Sequence, residues 1–200
     1  VISTYGNIEF SNKSKVFDKK ENNYKISNKN YELIQNVEDI NKWLNEAEEN
    51  GEIAVDTETS SLDPHQAKLI GISFSTKIGR ACYIPVGHTK AKNIDETKVI
   101  KKIKPILEDK SIKKIGQNIK FDYIILYHRG IHMTSMEDTM LMSYVLDAGK
   151  NRHNIDTLSE IHLNHKPIAF KDLVGTGKKE INFSFVDLEK AKDYAAEDAD

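Results

Sequence analysis

Ile53-Ala54-Val55-Asp56-Thr57-Glu58-Thr59 is the stretch on which the reading of this chain turns. Ile53 to Asp56 is short, apolar and ends on an acid, the pattern of a buried strand leaving a core. On a strand, side chains at i and i+2 share a face, so Asp56 and Glu58 point the same way. Two carboxylates held side by side repel, and the arrangement is unfavourable unless a cation lies between them. Hard oxygen ligands favour Mg²⁺ or Mn²⁺. The pair alone is not distinctive, because acidic pairs at this spacing are common in solvated loops. The apolar run before it places it at a strand exit, where sites of α/β proteins form.

Working outward, Lys68 to Ser75 and Arg80 to Val86 carry apolar residues on either side of Gly79 and predict an antiparallel hairpin. Ser111 to Gly116 predicts another strand. Upstream, Val37, Ile40, Trp43, Leu44 and Ala47 recur at helical spacing within Asn36 to Asn50, and Gly51 stops that helix. Further helices are expected over Ile94 to Asp109, Asn118 to His128, Met136 to Leu146, Asn154 to Leu163 and Asp187 to Asp200, with Phe170 to Gly177 a loop. Strands followed by alternating helices and strands predict an α/β domain with a mixed sheet. Val1 to about Asn30, rich in Lys, Asn and Ser, reads as an arm or linker with a short strand near Tyr24 to Ile26. The last helix has neither a C-cap glycine nor a following proline, so the chain is expected to be a cut piece of a longer protein.

The composition is that of a globular domain with a polar bias: 38% hydrophobic and 30% charged, with no apolar run long enough to span a bilayer. No membrane association is expected. A single cysteine, Cys82, excludes an intrachain disulfide and fits a reducing cytoplasm; it reads as a buried strand residue. A net charge of −2 disfavours a tight duplex-binding module more than a nuclease, whose metal-binding acids offset the bases that face phosphate.

Two further acidic positions are of interest. Asp122 lies in Gly116-Gln117-Asn118-Ile119-Lys120-Phe121-Asp122, in the first turns of a helix after a strand. By itself it reads as an acid favoured by the helix dipole, and Gln117 and Asn118 as ligand-binding or capping residues. Tyr194 and Asp198, at i and i+4 on the last helix, point the same way.

Taken in order, Asp-x-Glu at a strand end, Asn-x-x-x-Asp on a following helix and Tyr-x-x-x-Asp on a late helix resemble the three motifs of the DEDD exonucleases in their tyrosine form. Val55 to Leu62, Tyr83 to Val86, Gly116 to Asp122, Arg152 to Leu158 and Tyr194 to Asp200 resemble the proofreading domain of bacterial DNA polymerase I, and the likeness covers about Tyr24 to Asp200. It implies an RNase H-like α/β fold with a mixed five-stranded sheet flanked by helices. It also implies an arm over residues 1–23, an exonuclease domain over residues 24–200, and a covalently linked polymerase domain after Asp200. The implied activity is 3′→5′ exonucleolytic hydrolysis at a single-stranded 3′ end of DNA, releasing nucleoside 5′-monophosphates, in the cytoplasm at the bacterial nucleoid. An inert single-stranded DNA-binding or bracing domain is the alternative.

The resemblance further implies two divalent cations, Mg²⁺ or Mn²⁺, held by Asp56, Glu58, Asp122 and Asp198, with Tyr194 orienting the attacking water. By matching position, Leu62 would wedge near the terminal bases and Phe170 would stack on one, while Thr59, Gln117, Asn118 and Arg152 would contact substrate. For Leu62 the bland alternative is a core leucine, and for Phe170 a packing anchor. His162 and His165 read as solvated helix residues. Gly175 to Lys179 lacks the spacing of a phosphate loop.

Overall fold

The computed structural model describes residues 29–200, so most of the arm and the strand expected near Tyr24 to Ile26 lie outside the described residues. One mixed sheet organises the fold: β1 (Asn30–Leu33), β2 (Glu52–Thr59), β3 (Leu69–Lys77), β4 (Arg80–Pro85), β5 (Lys113–Gly116) and β6 (Met136–Asp138), in the order β1-β4-β3-β2-β5-β6. β2, β3 and β4 run antiparallel, whereas β1, β5 and β6 join parallel to their neighbours. Among the described residues the sheet therefore has six strands where five were expected. β6 is the three-residue start of the segment read as one helix from Met136; Asp138 ends it and caps the helix that follows.

Among the described residues, seven helices flank the sheet: α1 (Ile40–Asn50), α2 (Glu96–Glu108), α3 (Lys120–Tyr127), α4 (Thr139–Asp147), α5 (Ile155–Leu163), α6 (Phe170–Val174) and α7 (Leu188–Ala199). Their ends follow local chemistry. Gly51 takes the left-handed conformation that ends α1, and Asp95 and Asp187 accept backbone N–H groups at the starts of α2 and α7. The segment read as a loop from Phe170 contains α6, five residues long and too short to show a helical period.

Strand alternation divides the core in two. Ile53, Val55, Ile72, Phe74, Cys82 and Ile84 point to one face, where they pack with Trp43 of α1 and Val99, Ile103 and Leu107 of α2. Cys82 is buried there, as its sequence position suggests. The other face is built of small or polar groups: Asp56 pairs with Ser73 and Ser73 with Tyr83, while Glu58 pairs with Gly71. α7 lies across this face through Ala191, Ala195 and Ala199, all buried. Alanine against glycine and serine lets the helix approach closely, which brings its Tyr194 and Asp198 down to β2.

Candidate active site

β2 extends beyond its parallel partner. β5 pairs only with Glu52 to Ala54 and then turns at Gly116 toward α3. The end of β2 that carries Asp56, Thr57 and Glu58 is thus free on that side, and α3 delivers Asp122 to it. On the other side, the β2–β3 register slips between Glu58 and Thr59, a bulge that ends regular pairing at the second acid.

Asp56, Glu58 and Asp198 each offer a carboxylate oxygen within 4.8 Å of the others. Asp122, 3% exposed, is outside that trio. Thr57, on the opposite face of β2 from the acids, donates its hydroxyl to Asp122 Oδ1 at 2.6 Å and holds that carboxylate beside the free strand edge. Tyr194 stands one helical turn before Asp198, and its ring lies 5.9 Å from Phe170 and 6.1 Å from Phe183.

The electrostatics are those of crowded, desolvated acids. Burial pushes Asp56 up to about 6, offset in part by a backbone N–H at Thr57. Burial, followed by the charges of Asp56, Asp198 and Asp122, holds Glu58 well above the carboxylate range. Burial and then Asp56 raise Asp122 and Asp198, against which the hydroxyls of Thr57 and Tyr194 act. Tyr194 is raised by burial first and by Asp198 and Glu58 next, so its phenol stays protonated. Among the described residues, no arginine or lysine is among the causes of these shifts, so no described basic group offsets the four acids.

A stability dependence follows. A carboxylate whose folded value is raised binds its proton more tightly when folded, so its contribution is present below the unfolded value and is lost as pH rises through the folded one. For Asp56 the window runs from 3.8 to about 6, and Glu58 and Asp198 are shifted in the same direction. The metal-free protein should lose on the order of 5–10 °C in Tm between pH 5 and pH 8. Mn²⁺ should restore more at pH 8 than at pH 5. A thermal scan series in chelator and in Mn²⁺, with Asp56→Asn as the flatter control, checks this; a slope unchanged in that variant would contradict it.

The remaining expected residues are placed unevenly. Leu62 is 94% exposed on the loop after β2, which removes the core-leucine reading. Phe170 is half-exposed and stacks on Phe183 at 6.1 Å, so it also anchors its segment. Thr59 donates its hydroxyl to the Ser61 carbonyl. Gln117 is engaged at both ends, donating to the His153 carbonyl and accepting from Thr139. Asn118 is left-handed (φ 57°) and its N–H is held by Asp138, which also caps α4. Arg152 is exposed. His162 is exposed, while His165 shares buried Glu197 with Lys29. A cavity of about 590 Å³ touches Asp56 and Asp198 from the α4–α5 side, but Ile53, Val55, Leu146, Leu158 and Leu163 wall it, and neither Glu58 nor Tyr194 does.

Sequence reasoning missed Thr57 and Asp138. Thr57 carries a signal in hindsight: alternation puts it opposite the acids, where a strand ending early would leave its hydroxyl facing the next helix. Thr57→Val should lower activity about tenfold and raise the Mn²⁺ concentration needed for half-saturation, because it leaves a buried carboxylate oxygen without its donor. Thr57→Ser should restore both. Mn²⁺ binding followed by electron paramagnetic resonance decides it, and equal affinities in Val and Ser variants would count against this role.

Comparison with known proteins is consistent with the geometry. The family described as 3′-5′ exonuclease matches residues 31–200. DNA polymerase I of Rhizobium leguminosarum is 41% identical over 191 residues, an alignment covering 85% of this chain and 19% of that protein. The chain thus spans about a fifth of the length of this curated relative. Among solved structures, Escherichia coli RNase D, an exoribonuclease involved in structured RNA processing, superposes with a TM-score of 0.62 at 18% identity, covering 85% of this chain and 41% of that one. Brucella melitensis NrnC with bound Mg²⁺ does so with a TM-score of 0.54 at 24% identity, covering 74% and 66%. At these identities the structural likenesses speak for the RNase H-like fold alone.

Proposed function

This chain belongs to the 3′-5′ exonuclease family, and from that premise we propose that it removes nucleotides from the 3′ end of single-stranded or frayed DNA as the proofreading domain of a DNA polymerase I. One observation carries the reading: the three carboxylates of Asp56, Glu58 and Asp198 lie within 4.8 Å of one another, Glu58 buried and the other two half-buried, with no basic group of the described residues among the causes of their shifts. Such a donor set fits a divalent cation of the Mg²⁺ or Mn²⁺ class. Asp56, Glu58 and Asp198 would hold it, and Asp122, fixed by Thr57, would serve a second. Divalent cations bound there supply charge neutralisation at the phosphate and a lowered pKa for water.

The chain's own groups do the rest. Tyr194, kept protonated, hydrogen-bonds the attacking water and aims it at phosphorus, with Glu58 beside it. The water oxygen gives up a proton to solvent and bonds to phosphorus as the bond from phosphorus to the penultimate 3′ oxygen breaks; that oxygen takes a proton from solvent, giving a nucleoside 5′-monophosphate and a new 3′ hydroxyl. Leu62, exposed beyond the acids, separates the terminal bases. Phe170 offers its free face to one of them, since base stacking on apolar and aromatic groups is tolerant of sequence. Thr59, Gln117, Asn118 and Arg152 contact the sugar-phosphate backbone, Gln117 chiefly by fixing the segment that carries Arg152.

The DNA polymerase I relative supports DNA as the substrate and a polymerase domain as the covalent partner in the full protein; on this reading that protein acts in the bacterial cytoplasm, at the nucleoid. Release of mononucleotides from matched DNA and RNA single strands in Mg²⁺ tests the assignment. Preference for DNA supports it. Preference for RNA would make the chain an RNA-trimming relative instead.

A further inference from the structure

Behind the acids lies a buried polar pair that the chemistry above does not use. Tyr83 of β4 stands in the cross-strand row Asp56–Ser73–Tyr83, on the face that α7 covers. Its side chain is wholly buried and bends over Gly71, the residue opposite Glu58. A Cβ at Gly71 would fall 2.1 Å from Tyr83 Oη, so glycine is required there by close approach. Tyr83 belongs to the same buried cluster as Ala191 and Ala195 of α7, and Tyr194 packs against that cluster.

Tyr83 Oη is hydrogen-bonded to His88 Nε2 at 2.7 Å, with the rings edge to face. His88 is itself pinned. Its N–H donates to Asn93 Oδ1 at 2.9 Å, and Asn93 Nδ2 donates to its carbonyl at 2.7 Å. Next door, Thr89 N–H donates to the Ser184 carbonyl, tying this loop to the segment that leads into α7. The imidazole then meets Phe183 at 5.8 Å, and Phe183 meets Tyr194 at 6.1 Å. His88 Nδ1 and Ser73 Oγ are buried without hydrogen-bond partners. A phenylalanine with an apolar neighbour would fill this space with fewer polar groups to satisfy. A tyrosine–histidine pair adds direction, which apolar packing lacks.

We propose that Tyr83 and His88 are positioning residues: their hydrogen bond fixes the seat of α7 on the sheet and, through Phe183, the ring of Tyr194 relative to Asp56 and Glu58. The proposal rests on the reading of Tyr194 as the group that orients the attacking water.

A double-mutant cycle separates this role from a merely structural one. Tyr83→Phe keeps the ring and removes the hydroxyl; His88→Gln breaks the pair from the other side. On single-stranded DNA with Mn²⁺, Tyr83→Phe should lower kcat about tenfold, the order of effect expected from misplacing a reacting group by a fraction of an ångström. KM and Mn²⁺ affinity should stay within about twofold. In the Tyr194→Phe background the same substitution should cost nothing further. In metal-free protein labelled with 3-fluorotyrosine, the Tyr194 fluorine resonance, assigned by its loss in Tyr194→Phe, should shift in both Tyr83→Phe and His88→Gln. Independent, multiplying effects of Tyr83→Phe and Tyr194→Phe, or an unmoved Tyr194 resonance, would overturn the proposal. A wild-type protein that releases no nucleotide would instead refute the exonuclease reading, while the resonance shift would still report on the positioning.

Discussion

Asp56→Ala is expected to lower nucleotide release by roughly 10³-fold or more, since a cation at the phosphate supplies several kcal/mol of transition-state stabilisation and each 1.36 kcal/mol is a decade in rate. Asp56 is the hub of the cluster: its charge raises Glu58, Asp122, Asp198 and Tyr194 together. Removing it therefore has a second, opposite consequence. In chelator at pH 8 the variant should melt higher than wild type, because the remaining acids ionise with less mutual repulsion. Mn²⁺ should raise its Tm less than it raises that of the wild type. Activity lost together with lower metal-free stability would mean that Asp56 acts in folding and not as a ligand.

Tyr194→Phe should lower kcat by about 10²-fold, within the range of a positioned proton-handling group. The ring contacts with Phe170 and Phe183 survive the change, so KM and Mn²⁺ affinity should hold. Because the phenol is raised and not lowered, the pH–rate profile of the wild type should show no ionisation of tyrosine on its alkaline limb. An alkaline limb that disappears in Tyr194→Phe would instead make the side chain a base.

Much of this fold is legible in the residues because its determinants are local. The apolar run into Asp56, the hairpin about Gly79, and the capping aspartates at 95 and 187 each act within a few positions. The spacings of Asp56 with Glu58 and of Tyr194 with Asp198 were visible for the same reason, but only the ordered resemblance to the DEDD exonucleases made them specific. The strand count was not. Asn30–Leu33 and Met136–Asp138 are too short to show a period, and only neighbouring strands make them strands. Thr57 and the Tyr83–His88 pair were missed because alternation gives the face of a side chain and register gives its neighbour. Nothing within the sequence near Gly71 says that a tyrosine from the next strand lies across it. Leu62 shows the converse: leucine suggests a core, and its near-complete exposure needs tertiary structure to be seen.

The central claim is that the cluster of Asp56, Glu58 and Asp198 hydrolyses the terminal phosphodiester of a DNA 3′ end with divalent cations. Mass spectrometry of the products formed from a single-stranded DNA labelled in its last nucleotide, in Mg²⁺ and in chelator, by wild type and Asp56→Ala in parallel, tests it most directly. The account predicts labelled nucleoside 5′-monophosphate from the wild type in Mg²⁺ alone. No release by the wild type, or equal release by both proteins, would contradict it.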